Sequence, residues 1–263
     1  MKSIKIYQVD AFTDTIFSGN PAAVCVLDKW LSSDVMQQIA SENNLSETAF
    51  LVKNDYQYDI RWFTPNVEVD LCGHATLASA FVLFKFYEKE ANEIIFHSYR
   101  SGELTVNKSE NEYMTMNFPS DVLEEVQTPT KLIDAIGKQP LKAFKGKTDL
   151  MLVFDSQSTV ESLQPKFEVL KAFDYRGIIC TATGDNCHFV SRFFAPNCGI
   201  NEDPVTGSAH TTLVPYWAKQ LKTDKLNARQ ISARGGELHC NYLGERVEIS
   251  GRAVLYLVGH LFY

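Results

Sequence analysis

The chain has 263 residues, of which 45% are apolar and 22% charged, and these values are ordinary for a globular protein. Acidic residues number 32 against 25 Lys and Arg residues, a net charge of −7 that disfavours binding to nucleic-acid phosphates through a basic face. The N-terminus lacks the apolar core of a signal peptide, and no apolar stretch is long enough for a bilayer. We therefore expect a soluble cytoplasmic protein of one or two domains, with its six cysteines as free thiols.

Strand and helix patterns alternate along the first half of the chain. Alternating or β-branched runs predict strands near 4–9, 22–27, 47–53, 57–63, 93–98, 102–107 and 112–118. A helix is predicted over 33–42, where Ser32 and Ser33 are candidate caps and the apolar residues share one face. A second helix, 74–88, is apolar nearly all round, which is typical of a helix surrounded by protein.

The second half predicts a similar series of elements. Strands are expected near 150–154, 176–182, 187–194, 230–233, 237–242, 245–250 and 253–258. A helix is predicted over about 208–221, and Pro215 is expected to kink or tighten it near its middle.

Three landmarks recur in the two halves, in the same order. The run Arg61–Asn66 (RWFTPN) matches RFFAPN 131 residues later, and Arg100–Leu104 (RSGEL) matches RGGEL 134 residues later. Between these pairs, Gly73 and Gly207 each stand at the start of a predicted helix, again 134 residues apart. The spacing indicates an internal repeat rather than two unrelated domains.

The repeat predicts an α+β fold of two pseudo-symmetric halves, each a curved, mostly antiparallel sheet wrapped around a central helix. We place the halves at 1–118 and 119–252, and the last strand, 253–263, is a candidate to complete the first half. A cleft is expected between the halves, where helix N-termini at Gly73 and at Gly207 and Ser208 would bind an anion such as a substrate carboxylate. Asn20 is expected to line this cleft.

Glu47 is the strongest candidate for proton transfer. It shares a strand face with Ala49 and Leu51, a setting that suits a group that takes a proton from carbon and returns it. The alternative is a strand-end glutamate in water or paired with an arginine. By register Glu47 corresponds to about Gly177, so the acid occurs in one half only, which favours a role in function over a role in the shared fold.

Four further residues have both a structural and a functional interpretation. His74 opens the buried helix, where it can contact a substrate or act as a capping or core histidine. Asp203, like Ser208, can either cap the second central helix or hold the substrate. Cys72 precedes a helix, but its repeat counterpart is Thr206, so racemisation by two opposed thiols is not available and inert packing is the alternative. No nucleotide, hydrolase or zincin motif is present, and although motifs do not exclude a lysine site for pyridoxal phosphate, nothing favours one.

Five segments together resemble the phenazine-biosynthesis (PhzF-like) isomerase family, in that family's order and over essentially the full chain. They are SGNPAAV at 18–24, NLSETAF at 44–50, RWFTP at 61–65, CGHAT at 72–76 and EDPVTGSA at 202–209. The resemblance implies a diaminopimelate-epimerase-like fold with the active site between two halves and with no metal or organic cofactor. In the phenazine enzyme a glutamate moves a proton along the ring of a dihydro-hydroxyanthranilate. Carried over, Glu47 is the acid/base, and His74, Asp203 and Ser208 support and position the substrate.

The resemblance departs at Cys72, where the phenazine enzyme has a non-thiol residue, and this leaves the substrate open. We predict a cofactor-independent isomerase that moves a proton on a small carboxylate-bearing metabolite, with Glu47, His74 and Asp203 as catalytic residues. One alternative is an amino-acid epimerase or racemase that uses Cys72 with Glu47. Another is a non-catalytic protein that binds a small ligand. A homodimer is implied by the resemblance, and neither nucleic acid nor membrane is an expected partner.

Overall fold

The computed structural model describes residues 2–263, apart from the side chain of Glu110, and divides the chain into two compact units. The first unit runs through Asn117 and is completed by Ser250–Tyr263, and the second is Phe118–Ile249. Among residues 2–263, no helix has the length and apolar character needed to cross a membrane.

The elements follow one another in chain order. The strands are β1 (Ser3–Ala11), β2 (Asn20–Leu27), β3 (Glu47–Asn54), β4 (Gln57–Phe63), β5 (Glu68–Val69), β6 (Glu93–Ser98), β7 (Gly102–Lys108), β8 (Met114–Pro119), β9 (Glu124–Val126), β10 (Lys142–Lys145), β11 (Asp149–Val153), β12 (Gly177–Thr183), β13 (Phe189–Ala195), β14 (Ile200–Asp203), β15 (Lys225–Gln230), β16 (Gly236–Tyr242), β17 (Arg246–Gly251) and β18 (Ala253–Phe262). The α-helices are α1 (Ser33–Asn43), α2 (Gly73–Val82), α3 (Thr130–Ile136), α4 (Gln157–Glu161), α5 (Phe167–Leu170) and α6 (Gly207–Leu221).

The two units repeat one pattern of strand pairing. In the first unit β1 pairs antiparallel with β18 and β2, β2 pairs parallel with β3, and β3 pairs antiparallel with β4. In the second unit β10 pairs antiparallel with β9 and β11, β11 pairs parallel with β12, and β12 pairs antiparallel with β13. The chain's last strand therefore occupies in the first unit the position that β9 occupies in the second.

An arginine–glutamate pair is repeated with nearly the same geometry. Arg61 donates from Nε and Nη2 to the two carboxylate oxygens of Glu68, at 2.7 and 2.8 Å. Arg192 donates in the same way to Glu202, also at 2.7 and 2.8 Å. Each bidentate pair joins the fourth strand of the repeat (β4 or β13) to the short strand ahead of the central helix (β5 or β14). The recurring RxF run thus has a structural role in both units.

The central helix of the first unit is buried nearly all round, as its composition predicts. In α2 every residue from His74 to Ala80 is buried, and so is Val82. The helix ends six residues earlier than predicted and passes into a wider π-helical turn, Leu83–Tyr87, which Glu88 closes by donating its N–H to Leu83 O at 2.7 Å. An apolar pattern alone does not reveal this change in hydrogen bonding, because the same side chains remain apolar through it.

The central helix of the second unit continues through its proline. Pro215 has no N–H, so the carbonyl of Thr211, four residues earlier, loses its helical partner. The backbone N–H of Asp121 donates to that carbonyl at 3.1 Å. A neighbouring segment thereby satisfies the group that the proline leaves without a helical bond, and α6 runs unbroken from Gly207 to Leu221.

Two parts of the sequence prediction were wrong or incomplete. The strand predicted at 230–233 lies instead at Lys225–Gln230, where Leu226, Ala228 and Gln230 alternate as buried residues. The polar Gln230 at a buried position hides the period-two pattern. The segment 119–149 and the three short helices α3, α4 and α5 were not predicted, because four- to seven-residue helices carry too little periodicity.

Each central helix uses the residue four positions after its N-cap to bind the N-cap carbonyl. In α2 the hydroxyl of Thr76 donates to Cys72 O at 2.6 Å, and in α6 the ring Nδ1 of His210 donates to Thr206 O at 2.9 Å. The His210 ring is completely buried, and its Nε2 has no hydrogen-bond partner among the described residues. Burial lowers the pKa of His210 to about 4.

We predict that His210 weakens the protein in acid. Its pKa is about 4 when folded and 6.5 when exposed, so below pH 6.5 the unfolded chain binds a proton that the folded chain does not. The free energy of unfolding should therefore fall by about 3 kcal/mol between pH 6.5 and 4 on account of this residue. The variant His210→Thr copies Thr76. Chemical denaturation at several pH values should show that its free energy of unfolding falls less in acid, by the same amount. Parallel curves for the two proteins, offset only by the packing cost seen at pH 8, would contradict the prediction.

Gly177 and Glu47 open equivalent strands, but only the first unit has room for a side chain there. The register pairs Ala22 with Glu47 between β2 and β3, and Asp149 with Gly177 between β11 and β12. A Cβ at Gly177 would lie 2.1 Å from the ring of Phe193, which is itself buried. In the first unit this strand position carries Glu47. In the second unit it carries Gly177, and the ring of Phe193 fills the adjoining space.

Gly177→Ala should destabilise the protein by about 1–3 kcal/mol, because the added methyl group overpacks the Phe193 ring. Chemical denaturation measures the change. Gly259→Ala is the matched control, since a Cβ at that strand glycine meets its nearest neighbour, Leu257, at an ordinary 3.4 Å. The cost should shrink in a Phe193→Leu background, and equal costs in the two backgrounds would refute the packing explanation.

Candidate active site

Two strand starts and one helix start bring four polar side chains together in the first unit. Asn20 is the first residue of β2 and Glu47 the first of β3, and these strands are parallel, so both residues lie at the same sheet edge. Cys72 is the N-cap of α2, and His74 lies in its first turn. The sequence predicted Asn20, Glu47 and His74 as site residues, and the structure places all three in this cluster.

The imidazole of His74 lies in the middle of the cluster. Its Nε2 is 3.1 Å from Oε2 of Glu47. Its Nδ1 is 3.1 Å from Nδ2 of Asn20 and 3.4 Å from Sγ of Cys72. The carboxylate thus faces one ring nitrogen, while the amide and the thiol face the other.

The side-chain amide of Asn20 sets the favoured form of the ring. Its Nδ2 can only donate, so Nδ1 of His74 accepts, and the ring proton of the neutral form is on Nε2. That Nε2–H is close to the Glu47 carboxylate but is not aligned with it. As a result Oε2 of Glu47 and Nε2 of His74 are both buried with no hydrogen-bond partner among the described residues.

Opposing influences act on the protons of this cluster. Burial, followed by the charge of Glu47, raises the pKa of the Cys72 thiol to about 11, so the sulfur is protonated at neutral pH. Burial lowers the pKa of His74, but Cys72 and Glu47 together more than reverse this, so its pKa stands above the ordinary value. His74 is therefore suited to accept a proton from either neighbour.

Glu47, Cys72 and His74 also have metal-ligand chemistry, with ligand atoms within 4.8 Å of one another. The sulfur is nearest Nδ1 of the imidazole and Oε2 of Glu47 is nearest Nε2. The geometry is that of a thiol–imidazole–carboxylate chain.

The other predicted site residues lie in the second unit. Asp203 ends β14, and its carboxylate accepts a hydrogen bond from the Thr206 hydroxyl at 2.5 Å. Gly207 is the first residue of α6, whose N-cap is Thr206. The Oγ of Ser208 accepts from Nη1 of Arg176 at 3.0 Å. These residues gather at the start of the second central helix.

Sequence reasoning missed three residues of this second group. Gln230 is buried and donates to Asp203 O at 2.7 Å, while its Oε1 accepts from Thr206 N at 2.8 Å, so it holds the turn ahead of α6. Arg176 pairs through two nitrogens with the buried Asp149. A polar residue at a buried strand position is the signal that could have found Gln230, but no local pattern links Arg176 to Asp149.

The whole chain matches one protein family. Residues 9–259 match the family described as phenazine biosynthesis-like protein (PhzC-PhzF). A protein of Pseudomonas aeruginosa described as an uncharacterized isomerase is 50% identical over 258 residues, covering 98% of each chain. Another relative, the mouse phenazine biosynthesis-like domain-containing protein 1, is 42% identical, covering 98% of this chain and 99% of its own.

Solved structures agree with the sequence match. A PhzF-family protein of Enterococcus faecalis superposes with a TM-score of 0.96 at 49% identity, covering all of both chains. A hydroxyproline epimerase of Agrobacterium vitis shares the fold, with a TM-score of 0.61 at 10% identity over 98% of this chain and 92% of its own. The predicted α+β, epimerase-like fold class is thereby confirmed. The chain belongs to the phenazine biosynthesis-like (PhzF) family and is an isomerase of that type.

Proposed function

We propose that the protein is a cofactor-independent isomerase that moves a proton on a small carboxylate-bearing metabolite, with Glu47 as the general acid/base. The observation that carries the proposal is the adjacent pair of buried atoms, Oε2 of Glu47 and Nε2 of His74, that have no hydrogen-bond partner within the part of the chain that the structure describes. Such atoms cost about 1–3 kcal/mol each when left unsatisfied. A bound substrate that supplies the missing contacts explains why the fold retains them.

The chemistry follows from the type and position of each group. A carboxylate with one uncommitted oxygen can accept a proton from an acidic C–H bond, and a neighbouring imidazole N–H can stabilise the negative charge that develops. These two groups need no external electron acceptor, since a proton shift leaves the oxidation state of the substrate unchanged. We keep Asp203 as a proposed substrate-orienting residue.

The carboxylate of the substrate is proposed to bind at helix starts. Neither N-cap residue, Cys72 of α2 or Thr206 of α6, makes a side-chain capping bond within its helix. First-turn N–H groups at Gly73 and at Gly207 and Ser208 are then available to an anion.

The geometry does not favour the mixed-pair epimerase. Two bases on opposite faces of one carbon, each about 3–3.5 Å from it, lie about 6–7 Å apart. The ligand atoms of Glu47 and Cys72 lie within 4.8 Å of one another, which leaves no room for a carbon between them. The similarity to the hydroxyproline epimerase concerns the fold alone.

We predict that Glu47→Gln lowers the rate of proton exchange by about 10²–10⁴-fold with the fold unchanged, because the amide cannot accept the proton. Exchange is followed by proton NMR in deuterated water with a dihydro-hydroxyanthranilate and a panel of small unsaturated carboxylates as probes. Glu88→Gln is the matched control, since Glu88 bonds Lys53 and Tyr58 on the same unit, outside the cluster. An unimpaired Glu47→Gln enzyme would reject the assignment, and tight binding of a probe without exchange in the native protein would indicate a binding protein instead.

The value of kcat/KM should depend on the carboxylate of the substrate as well as on its reacting carbon. For any probe that exchanges, conversion of its carboxylate to a primary amide should lower kcat/KM about 10- to 100-fold, because a charge-assisted bond is worth about 1.5–3 kcal/mol. Steady-state kinetics on the acid and amide pair measure the ratio. Equal values for the two probes would remove the helix-start anion site from the proposal.

A further inference from the structure

We propose that Cys72 is the proton reservoir of this site and exchanges protons with Glu47 through the imidazole of His74, so that the substrate gains and loses protons on one face. The relay itself stands on the geometry of the first unit. Only its place in a reaction rests on the proposed function. Cys72 does not need to touch the substrate, because it acts through His74.

The contacts of Cys72 distinguish it from a packing cysteine. Its sulfur lies 3.4 Å from Nδ1 of His74, while Oε2 of Glu47 lies 3.1 Å from Nε2 of the same ring. Burial alone raises the pKa of Cys25, another buried thiol of the same unit, whereas the charge of Glu47 and the imidazole also act on Cys72. The repeat counterpart Thr206 instead bonds Asp203, so this thiol–imidazole contact belongs to one unit only.

The thiol is positioned to supply Nδ1 with a proton. The amide of Asn20 keeps Nδ1 as an acceptor, and the S–H of Cys72 is a second donor directed at the same atom. Cys72 and Glu47 are the ionisable groups that act on His74, one at each nitrogen. A proton that enters the ring at one nitrogen can therefore be matched by a proton that leaves from the other.

The first half of the cycle transfers two protons and no electrons. The carboxylate of Glu47 takes the proton of a substrate C–H bond, and the electron pair of that bond remains in the conjugated system of the substrate. A second carbon of that system takes the proton from Nε2 of His74. Nδ1 then takes the S–H proton of Cys72, which leaves a thiolate beside a neutral imidazole and a protonated Glu47.

The second half restores the starting state without solvent. The proton of Glu47 moves across the 3.1 Å separation to Nε2, and the proton on Nδ1 returns to the sulfur over 3.4 Å. A small rotation of the carboxylate aligns the first of these transfers. Because both substrate-facing atoms, a carboxylate oxygen and Nε2, lie next to each other, the proton leaves and arrives on the same face of the substrate.

The coupling between thiol and imidazole can be tested without a substrate. In protein with ¹⁵N-labelled histidine, the titration of His74 followed by NMR should shift in Cys72→Ala, because the sulfur that lies 3.4 Å from Nδ1 is removed. Cys72→Ser, which keeps a donor at this position, should restore part of the shift. Cys25→Ala is the matched control, because it removes a buried thiol of the same unit, and it should leave the titration unchanged.

An unchanged His74 titration in folded Cys72→Ala would overturn the relay, whatever the activity of the protein. Unfolding curves and circular dichroism establish that each variant is folded. A shifted titration together with no proton exchange on any probe would support the coupling and contradict the proposed function, so the two failures are distinguishable.

The relay also predicts what happens to the substrate proton. For a probe that exchanges, a single turnover in deuterated water should return little of the abstracted proton to the product, since the delivered proton comes from His74. In Cys72→Ala, Glu47 must return the proton that it took, so retention should rise while the rate falls about 10-fold or more. Equal retention in both proteins, or delivery to the opposite face, would refute the single-face relay.

Discussion

The unsatisfied contact between Glu47 and His74 is the constraint on which the first unit depends. Two polar atoms are buried 3.1 Å apart without an aligned hydrogen bond. That placement costs stability, and the surrounding elements must hold it in place. The parallel register of β2 and β3, the buried helix α2 and the amide of Asn20 together position the ring and the carboxylate in this arrangement.

The repeat shows how one scaffold supports two different local chemistries. Both units keep the bidentate arginine–glutamate pair and the carbonyl bond at the start of the central helix. The strand position that carries Glu47 in one unit carries Gly177 in the other, where the ring of Phe193 occupies the adjoining space. At the helix starts, Cys72 contacts an imidazole, while Thr206 contacts Asp203. The shared features maintain the fold, and the differences place a carboxylate, an imidazole and a thiol together in the first unit.

The arrangement of side chains around the His74 imidazole limits the reactions that the cluster can support. The sulfur of Cys72 and a carboxylate oxygen of Glu47 lie within 4.8 Å of one another, and this separation does not accommodate a carbon between them. The sulfur is nearest Nδ1 and the carboxylate is nearest Nε2 of the same ring, and these contacts support the proposed movement of protons among the three side chains. They also give Cys72, the residue at which the sequence departs from the phenazine enzyme, a defined position relative to the reacting groups.

The sequence alone determined the repeat, the fold class and the candidates Glu47, His74 and Asn20, because repeat spacing, apolar periodicity and turn residues are local properties of the chain. Tertiary structure decided which atoms meet. The approach of Cys72 to Nδ1, the Phe193 ring over Gly177, and the clamp of Gln230 on the turn before α6 join residues two to more than twenty positions apart through packing. The strand that ends at Gln230 was misplaced for the same reason. A glutamine is expected at an exposed position, and only its hydrogen-bond partners in the fold explain why this one is buried. Side-chain direction and hydrogen-bond partners depend on the assembled sheet and helix, so no local pattern encodes them.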